Sequence, residues 1–203
     1  QEPIGVLAAP GTYRVAMYRR VDGEWTDMGQ TRTFDLVSIR EATLPGFLQD
    51  ERIAFDRQAD ELRRAAEGTV KAIDEIVHEL DAVKQMLQRS TADASLYTEA
   101  NDIQQAIKRE RNRLVKHEKQ EMLGVAAPMT VQARLFHARY DPATNAYGPT
   151  RTQRDSLNIA RDLYGSVREA LTGLVDVRYG ALKDALDRSG VPWTPGRGVQ
   201  PAQ

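Results

Sequence analysis

Between Phe55 and Leu87 apolar or small residues recur at alternating steps of four and three: Phe55, Ala59, Leu62, Ala66, Thr69, Ile73, Ile76, Leu80, Val83 and Leu87. That spacing predicts a helical seam, and a helix with such a seam needs partners to cover it. The first helix is expected from about Gly46, just after a Leu44-Pro45 start signal, to Arg89. Gly68 and Thr69 at its middle mark a kink or a close helix approach, since glycine weakens a helix interior.

Two further segments supply the partners. After a polar break from Ser90 to Ser95, Leu96, Ala100, Ile103, Ile107 and Leu114 predict a second helix reaching about Leu123, antiparallel to the first because the connection is short. Gly124 and Pro128 end it, and Met129 to Tyr140 reads as a shorter helix with Val131, Leu135 and Phe136 on its apolar side. Asp141 to Pro149 is a loop by composition. Thr150 and Gln153 form a capping box that opens the last long helix. Its seam runs Leu157, Ala160, Tyr164, Val167, Leu171 and Leu174, then continues after a small phase shift with Val175, Tyr179, Leu182 and Leu186. Gly190 stops it, and Val191 to Gln203 is a Pro/Gly-rich tail.

The start of the chain alternates with period two instead. Tyr13, Val15 and Met17 fall on one face of a strand, and Asp22-Gly23 has turn chemistry. Thr31 to Val37 resumes the extended pattern, which predicts a hairpin with a longish loop around Glu24 and Trp25; Ile4 to Leu7 is a candidate extra strand. So small a sheet is marginal alone, so these strands are expected to close a β-sandwich whose earlier strands lie upstream of Gln1. The fold class is mainly α: an antiparallel bundle of three long helices plus a short one, preceded by a small antiparallel hairpin or partial β-sandwich. The expected organisation is 1–40 for the closing strands, 41–190 for the bundle and 191–203 for the tail.

Composition narrows the function classes. With 28 Lys+Arg against 29 Asp+Glu, the chain has no global field to draw in nucleic acid or an anionic membrane. No apolar run approaches the ~20 residues of a membrane span. The absence of cysteine removes disulfides, thiol nucleophiles and thiolate metal sites. Glu75 and His78 have the Glu-x-x-His spacing of di-iron bundles, but neither His117 nor His137 has a Glu three residues before it, and His78 lies beside the seam. No nucleophile elbow, zincin, P-loop or dinucleotide motif occurs, so the reading assigns no catalytic, cofactor-binding or metal residue and no cofactor. Lys108 to Lys119, with Arg109, Arg111, Arg113 and Lys116, is the one concentrated basic stretch. Glu110 and Glu118 interrupt it and no aromatic side chains interleave, so it reads as a solvated helix face pairing with neighbouring acids, and no nucleic-acid partner is expected.

Three short segments carry a resemblance: Ala9-Pro10-Gly11-Thr12-Tyr13-Arg14-Val15, Pro149-Thr150-Arg151-Thr152-Gln153 and Val191-Pro192-Trp193-Thr194-Pro195-Gly196-Arg197. Together they resemble the C-terminal region of secreted sortilin-like, BNR-repeat β-propeller proteins, labelled glycosyl-hydrolase-like. In that family propellers are followed by a small β-sandwich and a helical bundle. The resemblance implies an extracellular or periplasmic location and a non-catalytic accessory or interaction module. Its partners would be upstream propeller or β-sandwich domains of the same polypeptide or another protein, and a homo-oligomer is compatible with it. The alternative is a supporting domain of a glycoside-hydrolase-like enzyme whose active site lies in upstream propellers; a third reading is a stand-alone helical nucleic-acid-binding protein using Lys108 to Lys119. Trp193, the one large apolar residue of the tail, is expected to be buried by a fold-back of Pro192 to Pro195.

Overall fold

A computed structural model of the chain describes residues 8–37, 49–117, 122, 124, 126–139 and 147–198. The expectations for Ile4 to Leu7, the Leu44-Pro45 helix start, Glu118 and Lys119, and most of the 141–149 loop lie outside those residues. The chain divides into two compact units, Gln1–Gln58 with Asp141–Pro149 and Ala59–Tyr140 with Thr150–Gln203.

In the first unit, strands β1 (Gly11–Val21) and β2 (Glu24–Leu36) pair antiparallel as a two-stranded sheet. Asp22 (φ 49°) and Gly23 (φ 90°) form the connection. Two central residues at positive φ match the right-handed twist of the strands, so the hairpin closes without a longer loop. Glu24 and Trp25 therefore belong to β2, opposite Val21 and Arg20, and the expected loop around them is corrected. Register slips between Ala16 and Tyr18, whose partners are Thr31 and Asp27. One β1 residue, Met17, faces three on β2, so the excess length bulges from β2 at Gly29 (φ 66°).

The second unit holds the helical bundle. Helix α1 (Gln49–Leu87) begins in the first unit and belongs to the second from Ala59 on; it runs as one helix of 39 residues, and none of its ten seam positions is exposed. Gly68 does not mark a close approach: a Cβ there would meet nothing within 4 Å. Thr69 makes the contact instead, bonding the Ala65 carbonyl oxygen at 2.9 Å and sharing a 3.0 Å hydrogen bond with the Tyr164 hydroxyl. Helix α2 (Ala94–Leu114) buries Ala100, Ile103, Ile107 and Leu114 as expected but stops short of Leu123, with Val115 extended. The next seam positions in the sequence are Glu118 and Glu121, so the apolar seam of α2 ends at Leu114. Helix α3 (Val131–Ala138) buries Val131, Leu135 and Ala138. Those positions define its inner face, and Phe136 falls outside it at 63% exposure, a correction of its expected place.

Helix α4 (Arg151–Thr172) opens with both halves of the capping box formed by Thr150 and Gln153. Thr150→Ala is expected to cost about 1 kcal/mol, read as a lower denaturant midpoint at unchanged slope. A π-helical segment, Gly173–Tyr179, continues directly into α5 (Gly180–Arg188). Hydrogen bonds fix the directions. Gln104 of α2 meets Val77 and Asp81 of α1 while Arg111 meets Asp74, so these helices are antiparallel. Tyr164 meets Thr69 and Tyr179 meets Glu79, so the last helix runs parallel to α1.

Candidate functional site

Alternation and register put Tyr13, Val15, Met17, Phe34 and Leu36 on one face of the hairpin. Tyr13 and Phe34 stack with ring centroids 5.8 Å apart, yet Val15 is 55% exposed and Phe34 50%. Met17, Tyr18, Val21, Trp25 and Met28 are exposed as well, so among the described residues neither face of this sheet is covered. Exposed apolar side chains scattered singly are ordinary, whereas here they are concentrated on one small element.

The residues with metal-like spacing are not assembled. Glu75 and His78 are both exposed on α1, and His137 packs against the Phe136 ring at 5.8 Å. Among the described residues, no three His, Asp or Glu side chains stand close enough to hold a metal ion. The basic stretch is split up by partners: Arg111 pairs with Asp74 of α1 at 2.6 Å, and Arg113 with Glu110 at 2.6 Å and the Ser166 hydroxyl. No described helix is long and apolar enough to cross a membrane.

Three polar clusters escaped the sequence reading. Gln104, fully buried between seam residues, accepts from Lys84 at 2.6 Å and donates to the Val77 carbonyl oxygen and to Asp81. In the first unit Arg52 and Asp56 form a buried pair at 3.0 Å, whose one sequence signal is their i, i+4 spacing. Asp60 meets Arg63 at 2.8 Å, Arg139 at 3.1 Å and Arg64 at 3.4 Å.

Burial pushes the Asp60 carboxyl up, but the hydrogen bond and charge of Arg63, helped by Arg139 and Arg64, bring it below the usual carboxylate range. The hydrogen bond from Gln104 lowers Asp81, against a smaller opposing effect of burial and with help from Lys84 and Lys108. A depressed folded-state value means the unfolded chain binds more protons in that window. The stabilisation is thus complete above the ordinary aspartate value of about 3.9 and lost as pH falls through the lower folded values. Acid unfolding is therefore expected below about pH 4, with Asp60→Asn and Asp81→Asn each flattening the pH dependence of the denaturant midpoint.

The tail folds back as expected, but on a different anchor. Arg197 is buried and donates to Asp187, to the Val191 carbonyl oxygen at 3.1 Å and to that of Pro192 at 2.7 Å. Trp193 is 56% exposed, a correction of its expected burial; only its indole N–H is engaged, donating to the Arg197 carbonyl oxygen at 2.9 Å. Beside the tail, Tyr179 is buried and donates to Glu79 at 2.9 Å; burial and that carboxylate both push its phenol up.

The chain matches no family model, no curated protein and no solved structure. Its functional reading rests on its own surfaces, of which the uncovered hairpin is the most pronounced.

Proposed function

We propose that this chain is a non-catalytic accessory and interaction module of a larger extracellular β-propeller protein, with the bundle as its scaffold and the hairpin as its docking element. The observation that carries the docking role is the apolar face formed by Val15, Met17, Phe34 and Leu36, exposed on a sheet too small to be stable by itself. A further β layer is the surface that such an alternating apolar face fits. Size favours a tethered layer over a second copy. Strands of this length span about 36 Å and two of them about 10 Å, a footprint of roughly 350 Å², against about 800 Å² per partner in free-standing complexes. The propeller parentage is supported only by the three resembling segments.

Reading the coding frame upstream of Gln1 tests the parentage: propeller repeats followed by further strands support it, and a frame with neither removes it. In the longer polypeptide, Val15→Asp with Phe34→Asp is expected to expose residues 8–37 to protease while the bundle stays resistant. Unchanged resistance of the hairpin would remove the docking role.

A further inference from the structure

The two strands of the hairpin differ in charge and in regularity. β1 carries Arg14, Arg19 and Arg20 and no acid; β2 carries Glu24, Asp27 and Asp35 with the single Arg32. The register keeps these charges apart. Arg14 lies opposite Thr33, Arg19 opposite Thr26 and Arg20 opposite Trp25, whose ring the guanidinium covers at 5.4 Å. Arg14, Arg19 and Arg20 are all exposed and make no ion pair among the described residues. The excess residues fall on the other strand: β2 holds them around Gly29 (φ 66°), whereas β1 is one continuous strand from Gly11 to Val21 in which Met17 alone lacks a Cα partner. A bulge blunts an edge against strand addition, whereas a regular strand turns every second residue's N–H and C=O outward, ready to pair. Among the described residues β1 has no neighbour but β2.

We infer that the outer edge of β1 takes an acidic extended strand, held by backbone pairing and by carboxylates placed opposite Arg14, Arg19 and Arg20. This rests on the reading of the hairpin as a docking element and names the partner's chemistry. An antiparallel partner would place two adjacent acids opposite Arg20 and Arg19, and a third, five residues further along, opposite Arg14. Two copies of this chain do not satisfy the edge. β1 against β1 pairs two strands that carry three arginines each and no acid, and β1 against β2 meets the bulged strand.

The test is a labelled synthetic peptide of about ten residues, alternating Thr and Val, with acids in that spacing and a Lys-for-acid version as control. Binding to the full chain is followed by fluorescence anisotropy at low salt and at about 0.5 M salt. The acidic peptide is expected to saturate below about 1 mM and to bind at least about tenfold tighter than the Lys peptide. Methylating alternate backbone nitrogens should abolish binding, and high salt should weaken it. Arg14→Glu with Arg19→Glu and Arg20→Glu should reverse the preference, so that the Lys peptide now binds, which also shows that the edge survives the substitutions. Equal binding of the two peptides, binding indifferent to the reversal, or self-association of the chain that the reversal abolishes would each overturn the inference. None of those results would bear on docking through Val15 and Phe34, which the upstream frame and the protease experiment address separately.

Discussion

Deleting Val177 is expected to leave the bundle folded, whereas deleting Asp162, fifteen residues earlier in the same continuous helical run and likewise exposed, is expected to unfold it. Leu157, Tyr164 and Leu171 are spaced by seven, and so are Tyr179 and Leu186, but eight positions separate Leu171 from Tyr179. An α-helix would turn the second set away from the first by roughly 100°, the rotation of one residue. The π-helical segment Gly173–Tyr179 absorbs that extra residue in a wider turn, which keeps Tyr179, Leu182 and Leu186 buried. Removing Val177, which points to solvent, restores an unbroken seven-residue spacing that an ordinary α-helix satisfies. The expected change is within about 1 kcal/mol, or roughly 2 to 4 °C in melting temperature. Removing Asp162 instead rotates Val167, Leu171, Tyr179, Leu182 and Leu186 off the core. At about 1.5 to 3 kcal/mol per buried side chain, that loss rivals the whole stability of a typical domain. Thermal melts of the two deletions decide; equal damage from both would mean that the wide turn has a role other than keeping phase.

Arg197→Ala is expected to be the most damaging single substitution in the tail. Its side chain is fully enclosed, and its guanidinium satisfies the Val191 and Pro192 carbonyl oxygens as well as Asp187. Asp187 is half exposed and can rehydrate, so the cost comes mainly from the two carbonyl oxygens and the void, about 2 to 3 kcal/mol. Arg197→Lys should recover only part of this, because one ammonium cannot reproduce the planar fork. Trp193→Ala should cost less than about 1 kcal/mol, in keeping with a ring that is mostly solvated. Hydrogen exchange at Val191, whose N–H donates to the Leu186 carbonyl oxygen at 3.2 Å, provides the local readout. A larger loss for Trp193→Ala than for Arg197→Ala would reverse this ranking.

The helices were legible because their signals are local and repeated. The seam from Phe55 to Leu87, the Thr150-Gln153 capping box and the phase shift between Leu174 and Val175 each have a direct counterpart in the structure. Side chains whose place depends on a distant partner were less so. Trp193 was expected inside on hydrophobicity alone, but Arg197 fills that role because three oxygens converge on it, an arrangement that sequence spacing does not display. Gln104 was missed because a buried amide is defined by Val77, Asp81 and Lys84 on another helix. The hairpin turn is legible at Asp22-Gly23, but the length of β2 is less so, since Glu24 is a weak strand former that sits between the turn and Trp25 and is held in the strand by its pairing with Val21. The uncovered apolar face was legible as alternation at Tyr13, Val15 and Met17, but its exposure is a fact of three dimensions.

Hydrogen exchange across the whole chain tests the central claim, that the bundle is a self-sufficient scaffold and the hairpin an element awaiting a partner. The amides around Ile73, Leu80, Ile103 and Val167 should exchange only through global unfolding, and those of β1 and β2 should exchange orders of magnitude faster through local opening. Hairpin amides as slow as those around Leu80 would contradict the account, because they would mean that the chain already covers the hairpin itself.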